Sequence, residues 1–267
     1  MRLQELFLVE TTEEDRAIIS LSSAISKYLM NNYESDVEDT SYDSDSDYDD
    51  DELDIGGDED KATEIGTIGQ LFDTPLSILN PIRIELQSDY GIRQRRQRDE
   101  DAKVIGRPGE DDSLGLWYGD DKIMVLNRDY LGTNSFRSVV THELRHALDD
   151  FKSGFKANVS KRYSTPKKKE HRTPDKAYIA EPAEINARFS QVLHAMVPVI
   201  GKVLKQHTGD PKSYIMNEFS KLMKYFSISE LFPEKDQSKD YKRLIKRGVD
   251  FIDKEISYRQ GSKNNPN

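Results

Sequence analysis

The chain reads as an α+β fold: a small mixed or antiparallel sheet beside one central helix, with a helical C-terminal part. Three observations predict it. The stretch "IRIELQS" (82–88) alternates apolar and polar residues and is rich in β-formers, as a strand requires. "SLGLWYGDDKIMVLN" (113–127) is two such runs around Gly119-Asp120-Asp121, the pattern of a hairpin. Everything periodic after residue 133 repeats at helical spacing.

Taken in order, the elements are these. Residues 1–33 hold an N-terminal helix over 12–31. Thr12 caps it, Glu13, Glu14 and Asp15 suit its positive end, and Ile18, Leu21, Ile25 and Leu29 share an apolar face. Residues 34–61 form an acidic linker, predicted to be disordered because its carboxylates repel one another and bury nothing. Alternate Asp43, Asp45 and Asp47 suggest a calcium loop. However, the EF-hand register would then put Tyr48 where Gly is needed and Asp54 where Glu is needed, so a solvated linker is the better reading. Order resumes at 62, with "IGTIGQLF" ambiguous between strand and helix. "RQRRQRDED" (93–101) lacks interleaved aromatic residues and reads as a charged loop, not a nucleic-acid surface.

The central helix is "NSFRSVVTHELRHALDDF". Thr133, Asn134 and Ser135 offer N-cap side chains, and Gly154 is a natural stop. A basic, proline-containing connection follows, then a helix from Pro182 that meets a break or kink at Pro198. Two more helices are expected, at about 212–226 (Asp210 cap, Pro211 at the first position) and about 238–257. The ordered domain is taken as 62–258, with 259–267 a loose tail.

Composition narrows the chemistry. There is no cysteine, so disulfide scaffolds and Cys-based metal sites are excluded, and any metal must be held by His and carboxylates. The net charge of −10 arises from the linker: residues 34–60 hold fifteen Asp or Glu and no Lys or Arg. The rest of the chain is mildly basic. No run is long and apolar enough for a membrane span and the N-terminus lacks the order of a signal peptide, so a cytoplasmic site is the default expectation.

Inside the central helix lies His142-Glu143-Leu144-Arg145-His146, an HExxH motif in a chain with only five histidines. Four residues is about one helical turn, so His142 and His146 can aim their imidazoles at one ion. Glu143 lies about 100° round the helix, placed to accept a proton from a polarised water and not to bind the ion. Two zinc ligands and a general base are the chemistry that this spacing serves. Arg145 is a charge between the two histidines and must reach solvent or pair; Asp149, four residues on, is a partner within reach.

A zinc held by two histidines needs a third protein ligand and an open position. The metzincin spacing fails, since Asp149 and Lys152 stand where its Gly and third His belong. Asp149, His171, Glu181 and Glu184 remain. Asp149 is better suited to supporting an imidazole or pairing with Arg145. His171 lies in the basic loop, Glu181 precedes Pro182, and Glu184 falls in the first turn of the next helix.

The motif, with Val139, Val140, Leu144, Ala147 and Leu148 around it, resembles that of the zincin metallopeptidases. "EINARF" looks like the E-x-x-A run of ImmA/IrrE-like gluzincins and of some phage-encoded peptidases, with Glu184 and Ala187 on its fixed positions. The resemblance covers little more than 113–195. It implies a zincin-like domain in which Zn2+ is bound by His142, His146 and Glu184. It also implies that Lys122–Asn127 edges the cleft and receives substrate backbone as an added strand. Zincins commonly stabilise the oxyanion with a Tyr, His or Arg; Tyr163, Tyr178 and Arg188 are candidates, and Tyr178, nearer Glu184, is preferred over Tyr163. The implied function is hydrolysis of a peptide bond in a protein or peptide substrate, in host cytoplasm or virion if the chain is phage-encoded, with no role for membrane or nucleic acid. The alternative is a non-catalytic binding or virion-associated protein that keeps the fold and interacts through its acidic segment. A third reading, from the same resemblance, is a regulator acting on DNA-bound proteins.

Overall fold

The computed structural model describes residues 12–33, 62–89, 91, 92, 95, 115–154, 182–206, 210–232 and 238–263. The acidic segment, the basic connection after Gly154 with Tyr163, His171, Tyr178 and Glu181, and residues 264–267 lie outside them. The fold is α+β and mostly helical. Its elements are α1 (Thr12–Tyr33), β1 (Thr63–Thr67), the one-turn α2 (Ile68–Leu71), β2 (Arg83–Gln87), β3 (Gly115–Tyr118), β4 (Ile123–Asn127), α3 (Asn134–Ser153), α4 (Pro182–Gln206), α5 (Pro211–Tyr225) and α6 (Lys239–Lys263). Among the described residues no helix is long and apolar enough to cross a membrane.

The four strands are ordered β1-β2-β4-β3. β2 runs antiparallel to β1 and parallel to β4, with Ile84 opposite Met124 and Leu86 opposite Leu126, and β3 returns antiparallel to β4. The sheet is therefore mixed. Period-two alternation sends Ile84, Leu86, Met124 and Leu126 to the face that packs on α1 and α3. Ile123 and Val125 lie on the other face with Ile92. All five residues of β4 are buried, as befits a strand with neighbours on both sides. This corrects one expectation. Lys122–Asn127 is not the edge, because both of its sides are already paired; β3 is the outer member of the hairpin. The hairpin turn itself forms over 119–122, with Lys122 at φ 55.

Two cores meet at α3 and α4. The first joins α1, the sheet and α3 through Ile18, Leu21, Ile25, Leu29, Phe136, Val140, Leu144 and their neighbours. The second is helical, built by α4, α5 and α6 around Phe189, Leu193, Phe219, Leu244, Phe251 and Ile252. The N-terminal helix is thus an integral layer, although a long segment separates it from the sheet in sequence. Ser22 shows how closely it seats: its hydroxyl donates to the Arg137 carbonyl and receives the Thr141 hydroxyl at 2.8 Å.

Local chemistry sets the helix ends. The Thr133 side chain accepts from the Phe136 N–H at 3.1 Å, and Gly154 closes α3 at φ 67, ψ 36, a left-handed cap that glycine adopts without strain. Asp210 caps α5, accepting from Lys212 N, and Pro211 takes a first-turn position where no N–H is needed. α4 continues through Pro198 without the break that was one of the two expectations there. Burial of Met196, Ile200 and Val203 on either side offsets the lost hydrogen bond, a penalty of about 3 kcal/mol. α6 continues to Lys263, past the boundary expected at 258; Arg259 donates to Glu255 one turn back at 2.7 Å and extends the helix.

Candidate metal centre

α3 carries its motif with the apolar side pressed on the first core, so the other side of the helix faces α4. His142 and His146 leave that surface one turn apart, each partly exposed. Glu184, in the first turn of α4, meets them and is only 3% exposed. Its position at a helix N-terminus favours the ionised form. The two imidazole Nε2 atoms lie 3.0 Å apart. Glu184 Oε1 is 3.1 Å from His146 Nε2, and Oε2 is 3.5 Å from His142 Nε2.

These distances test the site for a metal. Bonds of about 2.0–2.1 Å at tetrahedral angles put neighbouring ligand atoms about 3.3 Å apart. The imidazole pair at 3.0 Å and the His146 Nε2–Glu184 Oε1 pair at 3.1 Å lie near that value, His142 is faced by the other carboxylate oxygen, and one ligand atom from each of the three residues lies within 4.8 Å of the others; the donor set, two imidazole nitrogens and a carboxylate, suits a divalent ion. His142, His146 and Glu184 could hold one. Arg188, one turn beyond Glu184, brings its Nε to 3.6 Å from Oε2. That Nε is buried with no hydrogen-bond partner among the described residues.

The electrostatics follow from burial. Burial resists charging of His146, but the Glu184 carboxylate and its hydrogen bond, assisted by Glu143 and Asp149, raise the imidazole pKa to about 9. Burial likewise works against an ionised Glu184, yet the two histidines hold it well below the usual carboxylate range. Glu143 is 6% exposed. Desolvation pushes its carboxyl above the ordinary value; His142 and His146 oppose that rise and Glu184 adds to it. A carboxylate with a raised proton affinity, next to a candidate metal centre and not part of it, is suited to accept a proton.

β3 closes the site from the other side. A Cβ on Gly115 would lie 3.1 Å from Glu143 Cγ and 2.6 Å from Val139 Cγ1, so only glycine lets the strand pass this close to α3. Trp117, on the same strand, donates its indole N–H to Asp150 at 2.7 Å. β3, the hairpin partner of the strand expected beside the site, is thus the strand that comes up against Glu143.

Behind the histidines runs a closed ring of polar side chains from four helices. Arg145, fully buried, pairs with Asp149 at 3.1 Å and with Asp15 of α1 at 3.5 Å. Arg247 of α6 grips Asp15 with two nitrogens and donates to Asn186 Oδ1 at 2.7 Å. Asn186 Nδ2 in turn donates to Asp149. The pairing of Arg145 with Asp149 was legible from spacing. Asp15 read only as a helix-dipole residue, and Arg247 and Asn186 carried no signal of their own. The charge at Arg145, inside an otherwise apolar stretch, was the one hint that a buried partner existed.

The structure brings together His142, Glu143, His146 and Glu184. It places Asp149 in the ring and not among the three converging side chains. Tyr178, the expected oxyanion stabiliser, and Glu181 and His171, the other possible ligands, lie outside the described residues. Comparison with protein-family models, with curated proteins and with solved structures gave no significant match in any of the three.

Proposed function

We propose that this chain is a zinc-dependent peptidase of the zincin type. The observation that carries the reading is the convergence of His142, His146 and Glu184, one ligand atom of each within 4.8 Å of the others, with the buried Glu143 carboxylate beside them. His142, His146 and Glu184 would hold zinc, which when bound supplies Lewis-acid activation of water and of a scissile carbonyl. Glu143 accepts the proton that the attacking water loses and delivers it to the departing amine nitrogen. Its raised pKa fits both halves of that task. β3, whose one strand neighbour among the described residues is β4, would carry the substrate backbone antiparallel along its outer side. Tyr178 stays the preferred oxyanion stabiliser, acting from the connection that leads into α4.

The test has two parts. Zinc per chain, measured in purified protein and in Glu184→Ala, should be near-stoichiometric in the first and lost or weakened in the second. Peptide hydrolysis should fall by at least about two orders of magnitude in Glu143→Gln while zinc content is unchanged. A folded protein that takes up no added zinc would overturn the reading. Full hydrolysis by Glu143→Gln would remove the mechanism. A zinc-bound protein that cleaves no peptide in a broad screen would favour the non-catalytic binding alternative.

A further inference from the structure

We infer that the ring Asp15–Arg247–Asn186–Asp149–Arg145 is a positioning device for the candidate metal centre, through which the N-terminal helix α1 sets how tightly the ion is held. The inference rests on the metal-binding reading above and extends it to residues remote from the ion.

Geometry comes first. The ligand set needs α3 and α4 at one spacing and one register, because His146 is on the first and Glu184 on the second. Asn186 and Asp149 join the same two helices beside those ligands. Asn186 follows Glu184 by two residues and Asp149 follows His146 by three. An amide can present either end, and only its NH2 end can donate to Asp149. Arg247 donates to Asn186 Oδ1 and so fixes that orientation. The Asp15 carboxylate, 1% exposed, holds the Arg247 fork from the other side. Orientation therefore passes from Asp15 to Arg247, to Asn186, to the Asp149 clamp and to the spacing of the ligands.

Charge gives the sign. The ring contains two guanidinium groups and two carboxylates. Arg145 is fully buried next to His146 in sequence, and Arg247 is only 10% exposed. Neutralising Asp15 leaves a net positive charge beside a site meant for a dication. A buried ion pair by itself is weak support for stability, so this much buried charge is better explained by what it positions.

The experiment uses the full chain and Co2+ as a spectroscopic stand-in for zinc. Visible absorption reports coordination geometry, and competition with a chelator reports affinity. Asp15→Asn removes the charge, and Arg247→Lys keeps the charge but removes the fork. Ile25→Val, in the core face of the same helix away from the ring, is the control for general destabilisation. The expected result is a roughly 10–100-fold weaker affinity and an altered spectrum in both ring variants, with the control near the starting protein. Ring variants that bind with the original affinity and spectrum would overturn the inference, as would a control that loses affinity equally. Failure of the starting protein to bind metal would instead overturn the underlying metal reading. If Asp15→Asn does not fold, Arg247→Lys decides alone.

Discussion

Replacing Gly115 with Ala probes a close approach between the sheet and the candidate site. The new methyl would stand 2.6 Å from Val139 Cγ1, where carbon atoms normally keep about 3.5–4.0 Å. Something must yield by about 1 Å. Val139 is buried and β-branched, so its rotamer in a helix is nearly fixed, and the strand or the helix has to move. Overpacking of this kind costs about 1–3 kcal/mol. The backbone of Gly115 is not among the positive-φ glycines, so alanine also restricts the unfolded chain and returns about 0.4–1 kcal/mol. The net is a destabilisation of about 1–2 kcal/mol, or roughly 2–8 °C in Tm. Because the same methyl would sit 3.1 Å from Glu143 Cγ, the proposed general base should shift as well, and a displacement of about 1 Å can lower the rate by about 100-fold. Thermal unfolding and peptide hydrolysis would be measured for Gly115→Ala, Val139→Ala and the double variant. The double variant should recover part of the loss, giving a coupling of at least about 0.5 kcal/mol. Wild-type stability and activity in Gly115→Ala, or strict additivity with Val139→Ala, would refute the packing argument.

Three further outcomes are expected. A bound metal would have to displace the proton that the His146–Glu184 pair holds up to about pH 9, so chelator-competition affinity should rise with pH, by up to about tenfold per unit between 7 and 9; in the metal-free protein the same pair adds stability that is complete between about pH 4.5 and 6.5, fades as pH climbs through 9, and is lost at acid pH as Glu184 takes up its proton. His194 is held down to about 4, first by burial and then by Arg137, so its contribution is intact above about pH 6.5 and is lost as pH falls toward 4. Urea unfolding should show no more than about 2 kcal/mol lost from this source between pH 7 and 5, and His194→Gln should flatten that part of the profile. Arg145→Met removes the cation that Asp15 and Asp149 share but leaves Asp15 its Arg247 fork and Asp149 its Asn186 bond, and should cost up to about 3 kcal/mol in the same assay, the low end for breaking a buried pair.

What the chain announces in advance is what it decides locally. Thr133, Gly154, Asp210 and Pro211 mark helix ends because capping is settled within a few residues. The hairpin at 113–127 is equally local, but which of its strands lies inside the sheet depends on β2, a partner far away in sequence. The signal was present in "IMVL" (123–126), an unbroken apolar run of the kind that strands with two neighbours carry. The docking of α1 was illegible for a similar reason: Ile18, Leu21, Ile25 and Leu29 say that a face is buried, not what buries it. Spacing alone puts His142 and His146 on one side of a helix. Nothing in it distinguishes Glu184 from Glu181 or Asp149, because that choice depends on how α4 packs across α3. The ring around Asp15 was least visible, since its members are separated by most of the chain and each has an ordinary local role.

That separation also has a consequence in time. Asp15 and Arg247 are 232 positions apart. A ribosome adding about 5–20 residues each second would need on the order of ten to fifty seconds to deliver the second after the first. Through that interval α1 has its hydrophobic face but lacks a cation from the last helix for its buried carboxylate. α3 and α4 can emerge and begin to associate, yet α6 must have reached Arg247, the ninth of its 25 residues, before all four helices can meet. Between His146 and Arg247 the ribosome adds 101 residues, so over that stretch the nascent chain has its histidines made and their surroundings unfinished, and assembly of the candidate centre awaits the arrival of α6.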